Sequence, residues 1–186
     1  MLPLDDEARR RVLDFVKPLA AGLDGMTTFG DVGRTLRAAE AIAAAGPGFD
    51  SARLFLLAVF AGREKWVEKF GNGSRTELFL ASVGVPGEEF RVLRRSLSRY
   101  ASAPATVEED CVHDARRLED LGAYGIVRAA AQGTRERLDL VELAAEIEAE
   151  ARADFRTEAG RALAAPRLAL MRDFARRLRE EVAEFG

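Results

Sequence analysis

The chain contains one histidine, His113, and one cysteine, Cys111. A single cysteine rules out an internal disulfide and any cysteine-based zinc site. Asp114, next to that histidine, stands out among the carboxylates. Three- and four-residue spacing places Cys111, Ala115, Leu118, Leu121 and Gly122 on its face of a helix, with His113, Arg116, Arg117 and Asp120 on the other. The spacing therefore predicts that Asp114 points into the apolar interior and that His113 points out as a surface residue. A carboxylate so placed must find a partner or shift its pKa. Hydrogen bonds from backbone or hydroxyl groups would also hold it there. Elsewhere, Arg91, Arg94, Arg95 and Arg99 form a basic stripe on one helix. Arg172, Arg176, Arg177 and Arg179 interleave with Glu180 and Glu181. Both groups read as solvated faces in preference to phosphate or partner sites. Tyr100 and Trp66 read as core or pocket walls.

These residues must be positioned by helices. Apolar residues recur at helical spacing almost throughout and nowhere alternate cleanly with period two, so the expected fold class is all-α, a bundle of about nine or ten helices. A first helix is expected over Asp5–Leu23, with Val12, Phe15, Val16 and Leu19 on one stripe. After a loop over Asp24–Gly30, Asp31 is placed to cap a helix over Val32–Ala45, which Gly46-Pro47-Gly48 ends. Asp50 or Ser51 opens an apolar helix reaching Gly62. A short helix to Phe70, a turn at Gly71-Asn72-Gly73 and a helix over Arg75–Val83 follow. Pro86 suits the first position of a helix over Gly87–Tyr100, and Ala101–Ala105 is a linker. Thr106-Val107-Glu108-Glu109 has the capping-box pattern of a new helix, which Gly122 and Gly125 bend or break. Gln132–Arg137 reads as a loop between that segment and helices over Leu138–Asp154 and Thr157–Glu184. Pro166 is expected to kink or restart the last of these.

At 186 residues the chain is long enough for one proper core, and a single domain over residues 1–186 is expected. Its 48% apolar and 32% charged residues are the composition of a folded globular protein. No apolar run approaches the roughly 20 residues of a membrane helix. The start, MLPLDDEARRRV, lacks the features of a signal peptide, so the cytoplasm is the expected location. The net charge of −3, with its signs interleaved, argues against a nucleic-acid binder.

Two segments carry a likeness to a known family. Val112 to Arg128, reading VHDARRLEDLGAYGIVR, resembles the C-terminal motif of small bacterial HD-superfamily metal phosphohydrolases. Further on, Arg156-Thr157-Glu158-Ala159-Gly160-Arg161, with Leu163-Ala164, Arg167, Met171 and Phe174, is similar to that family's closing helix. The resemblance implies a helical HD-like fold and a divalent metal held by two His and two Asp. It places Asp31 where the family's first His belongs and Gly62-Arg63 (or Ala61-Gly62) where the His-Asp pair belongs. Tyr100 falls at a further pocket His, and Arg116 at the second Asp of the family's D-A-D. His113 falls at a variable position, so both histidine ligands are missing under any alignment. Asp114 alone survives at a ligand position.

The candidate pocket is therefore Asp114, Arg63, Asp31 and Tyr100, with no metal and no cofactor expected. Asp31 also reads as a plain helix cap. Arg63 is the expected cationic partner of Asp114. Three functions remain in view. The preferred one is a degenerate HD-domain pseudoenzyme, a binding or regulatory scaffold for a small molecule or protein. The alternatives are an enzyme with altered chemistry that needs no transition metal, and a residual Mg-dependent phosphohydrolase. One or two carboxylates are a weak site for Mg and no credible site for a transition metal.

Overall fold

The computed structural model describes residues 4–20, 29–46, 48–68 and 74–185, and every regular element among them is helical. Of the loop expected over Asp24–Gly30, only Phe29 and Gly30 are described, and they are already helical; Pro47 and the turn expected at Gly71-Asn72-Gly73 lie outside the described residues. The chain divides into two compact units, Met1–Ala115 and Arg116–Gly186.

In the first unit, α1 (Asp6–Val16) is capped by Asp5, whose side chain accepts from the Ala8 amide, and it buries Val12 and Val16. It is shorter than the apolar periodicity suggests. Pro18 has no amide to continue the ladder, and the chain runs on as a 3-10 turn, Lys17–Ala20. Helix α2 (Phe29–Ala44) begins before Asp31, which corrects the expected cap. Asp31 sits inside the first turn, where a carboxylate suits the positive end of the helix dipole, and it pairs with Arg34. Helix α3 (Ser51–Phe60) is capped by Asp50, which accepts from the Ala52 and Arg53 amides at 3.0 and 3.1 Å. Apart from Ser51 and Arg53 it is buried along its whole length, and it packs against α1, α2 and α6. An apolar run with no polar face is what such a central helix requires.

Next come α4 (Glu64–Glu68), α5 (Arg75–Ser82) and α6 (Gly87–Arg99); α6 packs on α3, and α4 and α5 pack on α6 and on each other. Ser74 caps α5 by accepting from the Glu77 amide at 3.0 Å. Pro86 takes the N-cap position of α6, one residue before the first helical position. Helix α7 (Val107–Glu119) uses only half of the expected capping box. Thr106 Oγ1 accepts from the Glu109 amide at 3.3 Å, while the Glu109 side chain turns to the Ala105 amide, Ser96 and Arg99.

The second unit is built from α8 (Gly122–Glu136), α9 (Leu140–Glu150) and α10 (Glu158–Phe185), each packed on the other two. Two glycines set its geometry. Gly122 has φ +74°, a left-handed value that breaks the chain between α7 and α8. At Gly125 a Cβ would lie 2.1 Å from the Asp120 carbonyl oxygen, so no side chain fits. Gly125→Ala is expected to force a backbone shift costing about 1–3 kcal/mol. A urea midpoint equal to that of the parent chain would show that α8 packs otherwise.

Gln132–Arg137, expected as a loop, is helical to Glu136. Arg137 closes α8 in the left-handed conformation, and Asp139 opens α9 with a complete capping box to Glu142. The stop falls later than the composition suggests because Gly133 is buried where Leu138 and Leu143 approach it. Helix α10 runs through Pro166 without restarting. The carbonyl that Pro166 leaves without an amide is that of exposed Ala162, where water can serve it.

Candidate functional site

The four candidate residues all belong to the first unit. At the end of α3, Gly62 takes φ +77° and its amide donates to Glu64 Oε1 at 2.7 Å and to the Tyr100 hydroxyl at 3.2 Å. That hydroxyl donates to Glu64 Oε1 at 2.8 Å. Tyr100, buried at the end of α6, thus fastens the turn that delivers Arg63. Arg63 is 6% exposed, and its Nη1 donates to the Ala61 carbonyl at 3.0 Å. A guanidinium kept from water in this way needs compensating acceptors nearby. Trp66, read as a core or pocket wall, is instead 44% exposed on the short α4.

On α7, Asp114 is fully buried. His113 is buried as well, with Nδ1 3.0 Å from Asp114 Oδ1. This corrects the outward-facing histidine expected from spacing. Adjacent helical residues are only about 100° apart, so they need not lie on opposite faces. Moreover, α7 buries Glu109, Val112 and Glu119 along with Cys111, Ala115 and Leu118, so it has no broad solvent face there. Burial, followed by the charge of Asp114, pushes the Cys111 thiol up to about 11. That thiol is protonated and unreactive at neutral pH.

Asp31 is 6% exposed on α2. One turn on, Thr35 is 1% exposed and its hydroxyl has no hydrogen-bond partner among the described residues. A buried orphan hydroxyl is unusual in a folded protein. The sequence reading missed Thr35. The available sign was a hydroxyl four residues after an acid, on a face otherwise formed by Val32, Ala39 and Ile42. Glu64 was missed too, because only the fold brings it to Tyr100.

The donor set does not fit the metal that the resemblance implies. Among the described residues, no three His, Cys, Asp or Glu side chains gather as possible ligands. A transition-metal centre needs several convergent nitrogen, sulfur or carboxylate donors. Asp114 with His113 supplies two at most.

Several of the other arginines are held by carboxylates. In the second unit, Arg176 pairs with Asp173 and Glu180, Arg177 with Asp173, and Arg179 with Glu148. Arg167 Nη1 donates to the Leu118 carbonyl at 2.7 Å, satisfying a carbonyl at the end of α7. In the first unit, Arg99 leaves the basic stripe for Glu109. Two cavities of about 200 and 230 Å³ lie in the first and second units respectively, and none of the four candidates lines either. Among the described residues, no helix is long and apolar enough to cross a membrane.

No family model matches the chain, and no curated protein matches it. Solved structures do. A protein of Listeria innocua superimposes with a TM-score of 0.75 at 18% identity, over 97% of this chain and 98% of its own. An HD-superfamily hydrolase of Bacillus thuringiensis superimposes with a TM-score of 0.71 at 19% identity, over 95% and 97%. YpgQ of Bacillus subtilis, solved in complex with ADP, gives 0.69 at 18%, over 94% and 95%. At these identities the likeness is one of fold. The chain has the all-α, HD-like fold.

Proposed function

We propose that this chain is a degenerate HD domain that works in the cytoplasm as a metal-independent binding or regulatory scaffold, with residues 1–186 acting as one functional domain. The observation that supports this most is the polar inventory of the first unit. Asp114 is buried beside the chain's one histidine, and no third metal donor joins them among the described residues. Arg63, at the position the resemblance gives to the lost ligand pair, is a buried guanidinium. Its fixed positive charge can stand in for that of a metal, and its planar fork suits a carboxylate or phosphate. YpgQ was solved with ADP, so nucleoside phosphates are the first small molecules to try on this chain.

A second reading draws support from the contact between His113 and Asp114. An imidazole oriented by a carboxylate is the usual arrangement of a general base. Metal-free acid–base chemistry would use that pair, with Arg63 as the anion clamp.

Both readings expect protein purified without added metal to carry no stoichiometric iron, manganese, zinc or nickel. They also expect metal supplementation to produce no phosphohydrolase activity. Elemental analysis finding about one such ion per chain would refute both. So would metal-dependent nucleotide hydrolysis near the enzyme median of about 10 per second, abolished by Asp114→Ala. Metal-independent turnover lost in His113→Ala would favour the second reading over the first.

A further inference from the structure

A cavity of about 200 Å³ in the first unit belongs to none of the residues discussed as the HD-like pocket. Its apolar wall is Leu56 and Leu57 of α3 with Val92 and Leu93 of α6. Above that wall stand Arg53, Arg95 and Arg99, with Thr106 at the start of α7. The carboxylates nearby are largely committed. Both oxygens of Glu89 accept from Arg53, at 2.8 and 3.0 Å. The buried Glu109 is saturated by Ser96, Arg99 and the Ala105 amide. Glu108 gives one oxygen to the Asp50 amide at 2.7 Å.

The cations are not equally committed. Among the described residues, neither Arg91, Arg94 nor Arg95 is paired with a carboxylate. These three also line, with Ser98, a shallow hollow on the outside of α6. Arg95 lines both spaces, so it carries an unneutralised guanidinium from the basic stripe to the mouth of the apolar cavity. Of the three guanidiniums lining the cavity, Arg95 is thus the one not paired with a carboxylate among the described residues, and it stands beside an apolar floor.

We propose that this cavity binds a small organic acid, with its apolar body on Leu56, Leu57, Val92 and Leu93 and its anionic head on Arg95. The volume suits a fragment-sized molecule and is too small for a whole nucleotide, whose site would be larger. The head is a carboxylate or a phosphate-type group, since either matches the guanidinium fork. This site is independent of the proposed HD-pocket ligand, because it shares none of Asp31, Arg63, Tyr100 or Asp114.

The test is isothermal titration of the full chain with naphthalene-2-carboxylate, with neutral naphthalene-2-carboxamide as the control. One saturable site for the acid is expected, at least about tenfold tighter than for the amide and weakened by salt. Arg95→Gln, an exposed position, should lose about the same factor while leaving thermal unfolding unchanged. Val92→Trp should fill the cavity and abolish binding. A parallel titration with decanoate separates an extended acyl chain from a compact aromatic body as the preferred form of the acid. Absence of saturable binding by either acid, equal binding of acid and amide, or indifference to Arg95→Gln would each overturn the proposal.

Discussion

Asp114→Ala and Arg63→Ala are each expected to lower the unfolding free energy by about 3–5 kcal/mol, and the double variant to be no less stable than the worse single one. Both side chains are nearly inaccessible to water, at 0% and 6% exposure. If the two side chains pair, taking either away strands the other's charge in a medium that solvates it poorly, and that stranded charge dominates the loss. Removing both takes the stranded charge away. Urea unfolding of the three variants gives the coupling energy directly. His113→Ala is the needed control, because His113 also contacts Asp114. If the Asp114 effect came only from the histidine, then His113→Ala would reproduce it, and the Asp114 and Arg63 effects would simply add. Additivity would end the idea of an arginine standing where a metal once did. Arg63→Lys should recover part of the loss, since an ammonium keeps the charge but cannot form the two-pronged contact.

Glu109→Ala is expected to cost roughly 3 kcal/mol, the second largest effect. Its carboxylate has no exposed surface and accepts from Ser96 Oγ at 2.6 Å, Arg99 Nη2 at 2.8 Å and the Ala105 amide at 2.7 Å. Truncation leaves the Ser96 hydroxyl and the Ala105 amide without their acceptor, at about 1–3 kcal/mol for each group that stays buried. Arg99 is a third exposed and regains water, so it adds little. The same residue should give a pH signature. Burial works against its ionisation, but the hydrogen bonds from Arg99, Ser96 and Ala105 outweigh it and hold the carboxyl below its ordinary 4.5. A group whose folded pKa is depressed contributes its stabilisation fully above the unfolded value. That contribution fades as pH falls through the folded value. Stability should therefore fall as pH drops below the ordinary 4.5, and Glu109→Gln should flatten that slope. An unchanged slope would show that other carboxylates carry it.

The fold class was legible because helical periodicity is a local property of the chain, and here it runs almost without interruption. The cap at Asp50 was legible for the same reason, since its side chain reaches amides two and three residues away. Ser74 and Asp139 cap in the same way, but neither was expected to, and Asp139 was expected inside a helix. The two segments that carry the family likeness are legible for a similar reason, and much of what they encode is architectural. Gly122 supplies a left-handed turn, and Gly125 lets a backbone carbonyl approach where no side chain fits. Arg167 serves a carbonyl of α7, and Thr157 Oγ1 accepts from the Gly160 amide at 2.9 Å to start α10.

What the sequence determined alone was the inventory: one histidine, one cysteine, and the carboxylates and arginines available to a site. Tertiary structure decided where those groups face. His113 turned inward because α7 is covered on more sides than one, and a helical wheel assumes a single buried stripe. Glu109 left its capping box for Ser96 and Arg99 of another helix, the Thr35 hydroxyl is buried with no hydrogen-bond partner among the described residues, and Trp66 is exposed. Arg95 is paired with no carboxylate among the described residues, while Arg99 one turn on is saturated. That difference depends on Glu109 meeting α6 from another helix. Spacing along one helix cannot report it, because the energy of a charged side chain is set by the groups that surround it in space.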